Sequence, residues 1–147
     1  MGTRSLTFVY EQYGDKQKPV VNMYRQYDGY PTGHGAELAE FLAPFTIVNG
    51  LGIGEIRKVA NGMGCLAAQM VAHFKQTPGG FYIHPTDITK CGQDYEYHIS
   101  QKKDGLYVEV FNCGCNMFGL TMSDTHELIF QGYLSEFTKF CSSEELV

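Results

Sequence analysis

Tyr24-Arg25-Gln26-Tyr27-Asp28-Gly29-Tyr30-Pro31-Thr32-Gly33-His34-Gly35 joins a segment that reads as a β-strand to one that reads as a helix. An arginine, a carboxylate, an imidazole and several tyrosines share it with three glycines and a proline. Glycine reaches backbone conformations closed to other residues and lets the main chain approach a ligand closely, because no Cβ intervenes. Upstream, Val20 to Tyr27 alternates, with Val21, Met23, Arg25 and Tyr27 on one face and Val20, Asn22, Tyr24 and Gln26 on the other. Ser5 to Glu11 is rich in β-branched and aromatic residues, and Tyr13 to Pro19 between the two has turn chemistry, so an antiparallel hairpin is expected. Downstream, Leu38, Phe41, Leu42 and Phe45 recur at helical spacing over Ala36 to Phe45, and Pro44 limits that helix.

The remaining chain extends the pattern. Thr46 to Gly54 reads as a loop or short irregular strand; its Gly-x-Gly lacks a third glycine at dinucleotide-binding spacing. Gly64 to Gln76 is a helix by the stripe Leu66, Met70, Val71 and Phe74, entered at Asn61-Gly62 and ended by Thr77-Pro78-Gly79-Gly80. Phe81 to His84 begins a return strand. Gln93 to Gln101 and Leu106 to Asn112 alternate around Asp104-Gly105, a pair favoured in tight hairpin turns. Cys113 to Thr121 allows another strand after Gly114, and the tail reads as a strand over Leu128 to Phe130 followed by a helix from about Tyr133. This order predicts an α+β fold over residues 1–147, a single domain with two to three helices on one face of a mostly antiparallel sheet.

Composition narrows the partners. The 147 residues suit one core, and 44% apolar with 18% charged residues is a globular balance, not a disordered one. A net charge of −5, with eleven scattered basic residues, gives no footprint for duplex nucleic acid. No apolar run approaches the twenty residues of a membrane span, and the N-terminus does not read as a secretory signal. Five cysteines without framework spacing fit reduced thiols, hence a cytoplasmic location.

Met1-Gly2-Thr3-Arg4, the run from Tyr24 to Gly35 in the pattern Tyr-Arg-x-x-Asp-Gly-Tyr-Pro-x-Gly-x-Gly, and Glu37-Leu38-Ala39-Glu40-Phe41-Leu42 resemble a group of small, uncharacterised proteins of bacteriophages and bacteria. Asp94-Tyr95-Glu96-Tyr97 and Phe130-x-Gly132 extend the likeness over most of the chain. The resemblance implies a phage-type accessory protein acting in the host cytoplasm, with counter-defence against host immunity as its role. It implies no particular activity.

Three constellations compete. At the glycine-rich loop, the N–H groups from Gly33 to Glu37 stand at a helix start that favours an anion. Arg25 would pair with phosphate, Tyr30 would stack, Gly33, His34 and Gly35 would donate, and Asp28 would orient Arg25 or accept from a sugar hydroxyl. Equal weight falls on a purely structural turn, with Arg25 paired to Asp28 and the tyrosines packed in the core; Glu37 also opposes an anion there. For a metal, Cys113-x-Cys115 with Cys91, His84, His98 or Cys141 offers soft ligands but no structural-zinc spacing, so no metal and no cofactor are expected. For catalysis, no nucleophile elbow, metalloprotease or phosphate-loop motif occurs.

The expectation is therefore a non-catalytic protein binding a small anionic or nucleotide-like ligand through Arg25, Asp28, Tyr30, Gly33, His34 and Gly35, with no catalytic residue. The alternative is an inhibitor of a host protein acting through an exposed aromatic patch or a homo-oligomer surface. A small hydrolase using His34 with Asp28 or Cys65 ranks below both.

Overall fold

The N-terminal hairpin sets the architecture. Strands β1 (Ser5–Tyr13) and β2 (Lys16–Arg25) pair antiparallel from Ser5 opposite Arg25 to Tyr13 opposite Lys16, around a turn where Gly14 has φ +64°. In this computed structural model, which describes residues 2–52, 58–114 and 126–143, the turn is shorter than the composition predicts. Lys16 to Pro19 continue the strand. Pro19, opposite Tyr10, sits beside a register shift between Val9 and Tyr10, the kind of irregularity at which strands accept proline.

A single wide π-type turn, Pro31–Gly35, then leads into α1 (Ala36–Leu42). Next come β3 (Thr46–Val48), within the stretch read as a loop or short irregular strand, and β4 (Val59–Asn61), with which it forms a small parallel pair that the sequence pattern does not announce. Helix α2 (Gly62–Phe74), β5 (Phe81–Ile83), β6 (Tyr95–Lys102), β7 (Gly105–Asn112), β8 (Glu127–Tyr133) and α3 (Leu134–Ser143) complete the chain. The main sheet has six strands in the order β5-β2-β1-β6-β7-β8. All its pairings are antiparallel except the central one, where β1 and β6 run parallel with Ser5 opposite Tyr95. The fold is α+β, and no helix among the described residues is long and apolar enough to cross a membrane. The strand considered for Cys113 to Thr121 falls mostly outside the described residues.

One face of the sheet carries the core. Val9, Met23, Tyr97, Ile99, Val108 and Val110 meet Leu38 and Leu42 of α1, Leu66 and Met70 of α2 and Phe137 of α3, all buried. Strand alternation sends the intervening residues to the other face. There Leu6 and Phe8 are also buried, and the segment after β5 crosses them, held by Asn22 Nδ2 donating to the carbonyls of Pro85 (3.0 Å) and Ile88 (2.9 Å). Farther along this face, toward the β6–β7 turn, the sheet is open.

Candidate functional site

The six residues singled out in the glycine-rich loop lie close together, and the fold engages nearly all of their polar groups. The N–H of Gly33 donates to Tyr30 O (2.9 Å), that of His34 to Asp28 O (2.7 Å), that of Gly35 to Tyr30 O (3.4 Å), and that of Ala36 to Pro31 and Gly33. Four of the donors an anion would need are thus satisfied within the loop. Both glycines are there for space: a Cβ on Gly33 would stand 2.5 Å from Asp28 O, and one on Gly35 2.9 Å from Cys141 Sγ. Asp28 takes φ +61°, and its Oδ1 accepts from the Tyr30 hydroxyl at 3.1 Å. Tyr30 is 39% exposed and Tyr27 55%, so these rings face solvent and not the core.

Arg25 reaches across the loop. Its partner is Glu37 and not Asp28, through Nη1 at 3.1 Å and Nη2 at 3.3 Å, while Nε donates to Tyr27 O at 2.6 Å and the guanidinium lies over Phe81. The same Nη1 donates to His34 Nδ1 at 3.2 Å, which leaves His34 Nε2 as the N–H that donates to Thr7 Oγ1 at 2.7 Å. His34 is fully buried; burial first, and then the Arg25 charge, press its pKa down to about 3. A neutral imidazole with both nitrogens occupied makes a poor general base. Cys65, considered as its partner, accepts instead from Gln69 of its own helix at 3.4 Å.

The opposite face of the sheet holds a second constellation, which the sequence reading resolves only in part. Leu6, Phe8 and Tyr10 of β1, Glu96, His98 and Ser100 of β6, and Tyr107, Glu109 and Phe111 of β7 share that face by alternation and register. Glu96, nearly buried, is the hub. His98 Nε2 and His126 Nε2 each lie 2.9 Å from its Oε1, and Gln93 Nε2 donates to its Oε2 at 2.7 Å. Burial alone would raise the Glu96 pKa, but these three hydrogen bonds outweigh it and bring the carboxyl down to about 2. His98 is fixed from its other side by the Tyr10 hydroxyl, 2.6 Å from Nδ1, and is stacked on Phe8. Burial, with help from the negative charges of Glu96 and Glu109, lifts the Tyr10 pKa to about 12, so the phenol stays protonated and donates. His126 stacks on Phe111 with ring centres 4.2 Å apart, and Cys113 is buried beside Glu96.

Beyond this hub the face opens into a groove of about 300 Å³ walled by Tyr10, His98, Ser100, Lys102, Tyr107 and Glu109, with Gln17 at its rim. A wider cleft of about 520 Å³ lies at the β6–β7 turn, between Phe45 to Ile47, Gln101 to Leu106 and Tyr133 to Ser135. Of these two, it is the 300 Å³ groove whose wall is set in place by the buried hydrogen-bond network. His98 and Cys113 enter the sequence reading as possible metal ligands, His126 only among the histidines available for catalysis and Glu96 only within the resemblance; none is joined there to Tyr10 or to the others in one site. The available signal was the alternation Glu96-x-His98 on one strand face, which puts a carboxylate and an imidazole side by side. Comparison of the chain with protein-family models, curated proteins and solved structures finds no match.

Proposed function

We propose that the protein is a non-catalytic binding protein whose small anionic or nucleotide-like ligand occupies the groove between Tyr10 and Tyr107. The observation that carries this reading is the hydrogen-bond chain Tyr10–His98–Glu96, which runs from a buried carboxylate to the groove wall. A sheet face turned to water needs only solvated side chains. A phenol and an imidazole fixed on a concave surface lower the ordering cost of binding. Lys102 supplies the charge for an anion, with its Nζ 4.5 Å from the Tyr107 ring centre. Tyr107, held edge-on against Tyr133, offers a ring to a base, and Glu109 accepts from a sugar hydroxyl. In a phage-type accessory protein, such a site suits capture of a nucleotide-like signal of host defence.

Native mass spectrometry of protein purified from infected and uninfected cells, followed by denaturation, tests the reading. An intact small molecule is expected, lost in Lys102→Ala and Tyr107→Ala and kept in Tyr30→Ala. Loss in Tyr30→Ala alone would return the site to the glycine-rich loop. Conversion of the released molecule during incubation would favour the hydrolase.

A second reading is an inhibitor of a host protein, favoured by β5. This short strand is a sheet edge with Tyr82 45% and Ile83 57% exposed, above a 240 Å³ hollow lined by Met23, Val71 and Phe81. Such an edge can accept an extended segment of another protein. Under this reading Ile83→Lys abolishes capture of a host polypeptide while Lys102→Ala leaves it intact.

A further inference from the structure

Glu96, Cys113 and His126 bring a carboxylate oxygen, a thiol sulfur and an imidazole nitrogen within 4.8 Å of one another. We propose that these three side chains bind a zinc-class divalent ion. None of them lines the groove, but Glu96 also anchors the Tyr10–His98–Glu96 chain behind its wall, so the two readings share that residue while zinc uptake is measured independently of the groove's ligand.

The topology assembles the set from positions far apart in sequence. Glu96 sits on β6 opposite Phe111, Cys113 follows the last residue of β7, and His126 precedes the first residue of β8; Asn112 and Glu127 are paired partners. The ends of two neighbouring strands thus meet over one carboxylate. Cysteine spacing could not reveal this arrangement, because only one of the ligands is a cysteine. Each position is held: Cys113 N donates to Asp94 O at 2.7 Å, Gln93 grips the second Glu96 oxygen, and Phe111 fixes the His126 ring. Such outer contacts orient ligands before an ion arrives.

Size and charge both agree. Ligands around zinc at bond lengths of about 2.0–2.3 Å stand roughly 3.3–3.6 Å apart. The Glu96–His126 contact of 2.9 Å opens by a few tenths of an ångström, and the thiol closes from within its 4.8 Å limit. On binding, the Cys113 thiol releases its proton to solvent and His126 presents an unprotonated Nε2, so a doubly charged ion meets two negative ligands and one neutral one. Mixed sulfur, nitrogen and oxygen donors select zinc over magnesium or calcium, which take oxygen. Three protein ligands leave a fourth position open, the pattern of sites that exchange a water or a substrate atom. His98 Nε2 lies 2.9 Å from the same Glu96 oxygen.

The test uses the full chain stripped with a chelator and titrated with zinc, and separately with cobalt as a spectroscopic probe. One zinc per chain is expected, with a higher unfolding temperature and, for cobalt, a near-ultraviolet thiolate charge-transfer band. Cys113→Ser abolishes the band. His126→Ala, at a half-exposed ring whose removal leaves the core intact, weakens zinc binding at least about tenfold. Cys65→Ser, on α2, keeps both the band and the affinity. Failure of the wild type to take up stoichiometric zinc, unchanged affinity in His126→Ala, or loss of the band in Cys65→Ser would overturn the proposal.

Discussion

Thr7 Oγ1 accepts a hydrogen bond from His34 Nε2 at 2.7 Å, in the same buried site where Arg25 fills the other ring nitrogen. The imidazole is therefore held neutral inside the protein, and this fixes how stability must respond to acid.

With its folded pKa near 3 and an unfolded value near 6.5, His34 is unprotonated in the folded protein and mostly so in the unfolded chain at neutral pH. Between those two values the unfolded chain binds a proton that the folded protein refuses. Stability from this residue is complete above pH 6.5 and falls with decreasing pH, by up to about 1.4 kcal/mol per pH unit. Urea unfolding of the wild type and His34→Gln across this range should show the wild-type advantage shrinking as acid is added. A constant difference would mean the site admits the charged ring.

Arg25 and Glu37 form one ion pair with unequal stakes, since the arginine side chain is 11% exposed and the glutamate 53%. Arg25→Ala strips a donor from His34 and from Tyr27 O and should cost about 2–4 kcal/mol. Glu37→Ala should cost under about 1 kcal/mol, as for other half-exposed pairs. Arg25→Lys is expected to rescue little, because a single ammonium cannot reach all these acceptors. Denaturant midpoints will rank the three, and a Glu37→Ala loss equal to that of Arg25→Ala would refute the asymmetry.

Glycine substitutions separate space from flexibility. A Cβ at Gly33 meets a backbone carbonyl, so Gly33→Ala should cost on the order of 2 kcal/mol. Gly64, inside α2, has open space around its would-be Cβ, and Gly64→Ala should stabilise by about 0.5–1 kcal/mol. Thermal unfolding reads both, and the opposite ordering would contradict the packing.

Phe137 anchors α3, touching Tyr97 and Phe130 with no exposure. Phe137→Ala should lose about 3–5 kcal/mol, whereas Phe140→Ala, at a half-buried position of the same helix, should lose distinctly less. Equal losses would place the anchor elsewhere.

How much of this was legible beforehand depended on the range of the interactions. Alternation in β2 put Arg25 and Tyr24 on opposite faces, and Arg25 does point to His34 while Tyr24 stacks on His84. Asp104-Gly105 marked the β6–β7 turn, and Phe74 with Leu66 marked α2. These signals are local. The parallel pairing of β1 with β6, the β3–β4 pair and the choice of Glu37 over Asp28 by Arg25 each join positions whose proximity no local period records. The same holds for the carboxylate hub: Glu96 meets His126 because β7 folds back beside β6 and β8 beside β7.

The parallel seam between β1 and β6 also divides the sheet by sequence separation. Both flanking hairpins, β1–β2 and β6–β7, close over short turns and form from neighbouring residues, whereas Ser5 finds Tyr95 only after the long intervening chain has been gathered in. Until then β1 and β6 are both unpaired sheet edges, each able to recruit a strand from another chain. The seam is thus the pairing of greatest sequence separation in the described sheet, and its loop-closure entropy is the part of the topology that weighs most on the folding rate.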